Sequence, residues 1–142
     1  MTVLALSGNE IQGSIPSEIG QSQSFNILYL SDNLLEGVLS PELGLLGSLN
    51  ALDLNYNFLE GTIPSELGRL GNLIMLVITY NLSSELGQLR SLSSQLNLYG
   101  NYMDGTLPSE LGQLGNLTEL YLNDKLFAGT IPSELGQLKA LT

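Results

Sequence analysis

A block of the form Leu-x-Leu-x-x-Asn returns along this chain at a fixed interval, and that interval limits the available folds more than any other feature. Leu28-Tyr29-Leu30-Ser31-Asp32-Asn33 is echoed by Leu4 to Asn9 and by Leu52 to Asn57, each 24 residues apart. The frame reaches Leu76 to Asn81 after another 24, and the blocks starting at Leu96 and Leu120 are again 24 apart. Only the step from Leu76 to Leu96 is shorter, at 20. A unit this small cannot bury its own apolar face, so neighbouring units must stack and share one continuous core.

The pattern within a unit says how they stack. Strand side chains alternate, so the two leucines of Leu-x-Leu point to one side while the intervening and flanking residues point to the other. Six such segments side by side make a parallel sheet with strands about 4.8 Å apart, spanning roughly 25–30 Å. Asn9, Asn33, Asn57, Asn81 and Asn101 then form an inward column at the point where the chain leaves the strand. An amide there can donate to and accept from backbone groups that the turn leaves unpaired, which is a structural ladder rather than a ligand site. Lys125 occupies the same place in the last unit, and an ammonium cannot accept a hydrogen bond. Gly13, Gly37, Gly61, Gly105 and Gly129 permit a sharp backbone turn, and Pro16, Pro64, Pro108 and Pro132 fix φ ahead of a short helical turn. Ser-Glu pairs follow those prolines, where carboxylates support a first helical turn.

The complete unit reads LxLxxNxLxGxIPxELGxLxxLxx, most regularly from Leu52 through Asn57, Gly61, Ile63, Pro64, Leu67, Gly68, Leu70 and Leu73. It resembles the plant-type leucine-rich repeats of receptor-like kinases, receptor-like proteins and polygalacturonase inhibitors, over essentially the whole chain. The resemblance implies an α/β, right-handed leucine-rich-repeat solenoid of about six repeats, starting near residues 4, 28, 52, 76, 96 and 120. It has a parallel sheet on the concave face and short 3₁₀ or helical turns on the convex face. It also implies a non-catalytic recognition module, extracellular or at the cell surface, with a protein, peptide or glycan as its ligand. The chain shows no capping unit and lacks the cysteine pairs that bracket such arrays in plant relatives. A fragment of a longer protein is therefore the expectation, with end-to-end or homo-association through uncapped ends.

Composition narrows the chemistry further. With no cysteine there is neither a disulfide framework nor a thiolate metal site. With no histidine the commonest general base and the commonest transition-metal ligand are missing too, and no cofactor or metal is expected. A net charge of −10 repels a phosphate backbone and an anionic bilayer, so nucleic acid is not an expected partner. No apolar window approaches the ~18 residues of a membrane span, and the stretch from Met1 to Gly8 lacks the basic start of a signal peptide.

The outward columns of the sheet are where binding is expected. Ala5, Tyr29, Asp53, Val77, Asn97 and Tyr121 lie between the paired leucines, and Val3, Ile27, Ala51, Met75, Gln95 and Glu119 precede them. Beyond the strand come Ser7, Ser31, Asn55, Thr79, Tyr99 and Asn123, then Gly8, Asp32, Tyr56, Tyr80, Gly100 and Asp124. Five of the six tyrosines fall on this face, Tyr102 being the exception. Tyrosine offers a rigid contact area with a polar tip, although it also suits exposed strand positions. The candidate ligand-binding residues are Tyr29, Asp32, Asp53, Tyr56, Tyr80, Asn97, Tyr99, Glu119, Tyr121 and Asp124.

Two other functions compete. Asp32 and Asp53 form a conceivable carboxylate pair of the glycosidase kind, but such pairs need a cleft and a raised pKa on one member. Ser14, Val38, Thr62, Thr106 and Thr130 resemble the threonine array of an ice-binding surface, which Val38 and the short fourth unit interrupt. The fourth unit has lost an entire xLxGx stretch, so a notch is expected near residues 81–96 with strand register retained. Of the sequons Asn81-Leu82-Ser83 and Asn116-Leu117-Thr118, only Asn116 falls where an exposed acceptor is expected.

Overall fold

The computed structural model describes residues 1–60, 64–78, 92, 94–97, 104–107, 109–122 and 126–142. Each unit contributes a strand to the main sheet, and most add a short second strand. In chain order these are β1 (Thr2–Ala5), β2 (Gln12–Gly13), β3 (Phe25–Tyr29), β4 (Leu34–Gly37), β5 (Ala51–Asp53) and β6 (Phe58–Leu59). There follow β7 (Met75–Val77), β8 (Gln95–Asn97), β9 (Asp104–Gly105), β10 (Glu119–Tyr121) and β11 (Leu126–Phe127). The main sheet is six-stranded, in the order β1-β3-β5-β7-β8-β10. All its pairs are parallel, as expected of a right-handed repeat coil.

The register follows the repeat. Leu4, Leu28, Leu52, Leu76, Leu96 and Leu120 lie side by side across the sheet. The step of 20 residues does not disturb it, because β7 pairs β8 with Met75 opposite Gln95 and Val77 opposite Asn97. The expected notch falls mostly on residues outside those described. Leu28, Leu52, Leu76 and Leu96 are fully buried, and Leu43, Leu46, Leu49, Leu67, Leu70, Leu73, Leu111, Leu114 and Leu117 extend the same core beneath the turns.

Opposite the main sheet, five-residue 3₁₀ turns run Ser17–Gln21, Pro41–Leu45, Ser65–Arg69, Ser109–Gln113 and Ser133–Gln137. Pro16, Pro64 and Pro132 hold the residue before the turn in an extended conformation. Pro41 instead opens its turn, leaving Ser40 outside it. The Ser40 hydroxyl donates to Glu42 Oε2 at 2.7 Å, and this bond, with the residue's own backbone N–H, holds the exposed Glu42 carboxyl below its usual pKa.

The glycine after each Glu-Leu or Glu-Ile sets how closely the turns stack. A Cβ on Gly20, Gly44 or Gly112 would sit 2.2–2.3 Å from the carbonyl oxygen of Glu42, Glu66 or Glu134 in the following turn. Nothing but hydrogen fits between adjacent turns there. Side-chain amides join the units at the strand ends. Asn33 Nδ2 donates to Leu6 O of the preceding unit at 2.8 Å and to Leu30 O and Ser31 O at 3.2 Å, while its Oδ1 accepts from the Ile11 N–H at 3.1 Å. Asn57 repeats the set one unit on, reaching Leu30 O at 2.9 Å and accepting from the Leu35 N–H at 3.0 Å. Asn9, with Leu6 O at 2.9 Å, is exposed. Asn81, Asn101 and Lys125 lie outside the described residues.

A second ladder, two residues before the first leucine of each Leu-x-Leu pair, is not apparent from the repeat consensus. Asn26 accepts from the Thr2 N–H at 2.9 Å and donates to Ser48 O at 3.1 Å, and Asn50 donates to Asn72 O at 3.0 Å. Further along, Thr118 stands at the same place in its unit but bonds backward, its hydroxyl donating to Ser94 O of the preceding unit at 2.9 Å.

Gly44→Ala is expected to lower stability by about 2–3 kcal/mol, because backbone must move to admit the methyl group. Gly136→Ala, where the added Cβ meets open space, should stay within about 0.5 kcal/mol of the parent. Asn33→Ala should cost about 3 kcal/mol by stranding several buried backbone groups at once. Urea unfolding followed by circular dichroism measures all three, and equal losses for the two glycine variants would refute the stacking argument.

Candidate functional site

The main sheet turns its leucines inward and leaves its other face open, and strand pairing decides which open-face residues meet. Ala5, Tyr29, Asp53, Val77, Asn97 and Tyr121 form one row, each beside the next. At about 4.8 Å per strand, Tyr29 lies one strand from Asp53 and roughly 19 Å from Tyr121. The row is not uniform. Val77 is 7% exposed and Ala51 8%, so the middle of the face is an apolar floor shaded by its neighbours.

Two polar groups therefore flank that floor. In the first, Tyr29 and Asp53 are half-buried, and Asp32 and Tyr56 are exposed just past their strands. Asp53 Oδ1 accepts from the Asn55 N–H at 3.0 Å, so part of this carboxylate is committed to its own turn. Asp32 is tied into the same corner by its N–H, which donates to Asn55 O at 2.9 Å. In the second group, Tyr121 Oη donates to Glu119 Oε2 at 3.4 Å, with both residues exposed, and Asn97 stands half-buried beside Tyr121. Tyr80, Tyr99 and Asp124 lie outside the described residues.

The backbone at Asp32 and Tyr56 is left-handed, with φ of 56° and 49°. Gly8 takes the same place in the first unit with φ of 72°. Glycine and aspartate tolerate this region; a bulky aromatic does so at a cost of about 1–2 kcal/mol. Tyr56 nevertheless occupies it, with 51% of its surface exposed. Strain of this kind persists where surrounding structure imposes it, and it marks the position for functional attention.

The repeat register turns Asn55 outward. It is buried at 8% exposure, and among the described residues its Oδ1 has no hydrogen-bond donor. The repeat period gives the direction in which a side chain leaves the strand, but not how far residues of adjacent units fold over it. The column of the competing ice-binding reading has Ser14, Val38, Thr106 and Thr130 all exposed, and Thr62 lies outside the described residues. Asn116 is exposed in the turn before β10. Among the described residues, no group of three or more acidic side chains is placed to hold a metal ion, and no helix is long and apolar enough to cross a membrane.

Comparison with known proteins agrees with this architecture. A family model described as Leucine Rich Repeat matches residues 1–22, 48–70 and 94–114. A search of curated proteins finds no match. Among solved structures, the chain is similar to the ectodomain of the plant membrane receptor kinase GASSHO1/SCHENGEN3 from Arabidopsis thaliana, solved with CASPARIAN STRIP INTEGRITY FACTOR 2. The TM-score is 0.85 and the identity 34%, over 98% of this chain and 17% of that one. It is also similar to the plant peptide hormone receptor RGFR1 in complex with RGF2, at TM-score 0.84 and 36% identity, over 99% of this chain and 23% of the receptor's. This chain thus spans about a fifth of the length of the receptors it matches. An internalin from Listeria monocytogenes, at TM-score 0.68 and 24% identity over 91% of this chain and 37% of that one, shares the fold alone.

Tyr56→Asn should stabilise the chain by about 1 kcal/mol, because asparagine adopts the left-handed region far more readily than tyrosine. Thermal and urea unfolding read this directly. A loss of stability would mean that ring contacts outweigh the strain.

Proposed function

The chain carries leucine-rich repeats and is similar to plant receptor ectodomains, and on that footing we propose that it is a non-catalytic recognition module whose open sheet face binds an extended peptide or protein segment. The observation that carries this reading is the alignment of Tyr29 with Asp53 and of Asn97 with Tyr121 along one row, on either side of an apolar floor. An extended ligand laid across the strands meets an aromatic and a carboxylate at each end and an apolar surface between them. Tyrosines give rigid contact area at small entropic cost, and Asp32, Asp53 and Glu119 favour a ligand with basic or hydrogen-bond-donating groups. The receptors RGFR1 and GASSHO1/SCHENGEN3 are described in complex with RGF2 and CASPARIAN STRIP INTEGRITY FACTOR 2, which supports a peptide over a glycan.

Within this proposal Tyr80, Tyr99 and Asp124 belong to the same surface through their place in the repeat. The array acts as one unit, at the cell surface or outside the cell, with Asn116 available as a glycan acceptor. Association between copies is a further proposal of the same reading. Catalysis has no support in the arrangement of Asp32 and Asp53, since part of the Asp53 carboxylate is engaged by the Asn55 N–H.

Panning a random dodecapeptide library against the purified chain tests the reading. Selected peptides should bind about tenfold more weakly, or worse, to Tyr29→Ala and Tyr121→Ala. Glu18→Gln and Glu134→Gln, in the 3₁₀ turns opposite, should leave binding unchanged. Selection of peptides insensitive to every open-face change would overturn it, as would turnover of chromogenic glycosides abolished by Asp53→Asn, or thermal hysteresis by the purified chain.

A further inference from the structure

The second sheet, formed by β2, β4 and β6 on the flank of the array, turns outward a face distinct from that of the main sheet, and its described residues there are exposed. Strand alternation sorts its residues. Leu35 and Leu59 point inward and are 5% and 9% exposed, whereas Leu34, Glu36, Phe58 and Glu60 point out. Phe58 is 68% exposed, so most of its ring surface is open to solvent. Pairing sets Glu36 directly across from Phe58. Glu60 follows two residues later on the same face, its N–H donating to Gly37 O at 2.8 Å. The ring is thus bracketed by two exposed carboxylates, and neither carboxylate has a hydrogen-bond or ion-pair partner among the described residues.

Between these side chains runs a groove of about 620 Å³ lined by Gly13, Ser14, Glu36, Gly37, Phe58 and Glu60. Gly13 and Gly37 have φ of 84° and 80°, and a Cβ on Gly13 would meet nothing within 4 Å, so the floor is bare backbone. No basic side chain lines it; the described basic residues, Arg69 and Lys139, lie at and beyond the ends of 3₁₀ turns.

We propose that this flank is a second docking surface, taking an arginine-bearing peptide segment of a partner protein whose guanidinium lies on the Phe58 ring between Glu36 and Glu60. Charge complementarity selects the occupant: an aromatic face attracts a cation through its quadrupole, and two carboxylates on adjacent strands repel each other until a cation lies between them. The planar guanidinium stacks on a ring and forks to carboxylates at once, which an ammonium does less well. The bare glycine floor lets the peptide backbone lie close. This surface is independent of the ligand proposed for the open face.

The test is a titration of the whole chain with the capped peptide Gly-Arg-Gly-Arg-Gly, followed by amide chemical shifts. Shifts should concentrate on residues 12–14, 34–38 and 58–60. Phe58→Leu, which keeps an apolar side chain but removes the ring, should weaken binding about two- to fivefold, and Phe58→Tyr should retain it. Glu36→Gln with Glu60→Gln should weaken it further and flatten its dependence on salt. The lysine analogue of the peptide should bind more weakly, and Tyr121→Ala should change nothing. Shifts confined to the open face, or full affinity in a folded Phe58→Leu variant, would overturn the assignment. Full affinity in the folded Phe58→Leu variant leaves the open-face reading untouched, because that reading is tested by its own variants, Tyr29→Ala and Tyr121→Ala.

Discussion

Adjacent units can share a core only if they close on one another at a single strand spacing, and the tightest point of that closure is the contact between a glycine in one 3₁₀ turn and a glutamate carbonyl in the next. A methyl group there would stand 2.2–2.3 Å from the oxygen. The leucine rows, the parallel ladder and the asparagine bonds all require the same spacing. The Gly-x-Leu half of the repeat is therefore a distance constraint as much as a turn. On the sheet side the corresponding constraint is the amide of Asn33 or Asn57, which holds two consecutive units by bonding backbone in both. One column fixes the separation by excluding atoms, the other by hydrogen bonds.

Those two devices leave the remaining positions free to vary, and the variation is concentrated on two surfaces. Among the described residues of the open main sheet, Tyr29, Asp32, Asp53 and Tyr56 gather at repeats two and three and Asn97, Glu119 and Tyr121 at repeats five and six, with Ala51 and Val77 buried. On the flank, Phe58 stands exposed between Glu36 and Glu60. Neither arrangement helps the array to close. The left-handed backbone at Tyr56 makes the same point from the other side, since a glycine or asparagine would meet the turn with less strain.

The family resemblance and the geometry bear on different levels of the problem. Similarity to plant receptor ectodomains extends along almost the whole chain but covers about a fifth of those receptors. It establishes the scaffold. Recognition depends on the residues that differ from one repeat to the next, and those are read from their placement in this chain.

The repeat period was enough to read the sheet and its strand register, including the register kept between β7 and β8, because a parallel ladder admits one alignment of equivalent leucines once the inward face is fixed. It was enough also to name Asn33 and Asn57, since their spacing from the leucines sets their direction. The burial of Asn55, Ala51 and Val77 and the second ladder through Asn26 and Asn50 were not legible. Each depends on contact between units, and a period written along one chain carries no information about what the neighbouring coil lays over a residue. The sequence by itself determined which way every strand residue faces; only the tertiary structure decided which of them remain accessible, because exposure is a property of stacked units and side-chain direction a property of one.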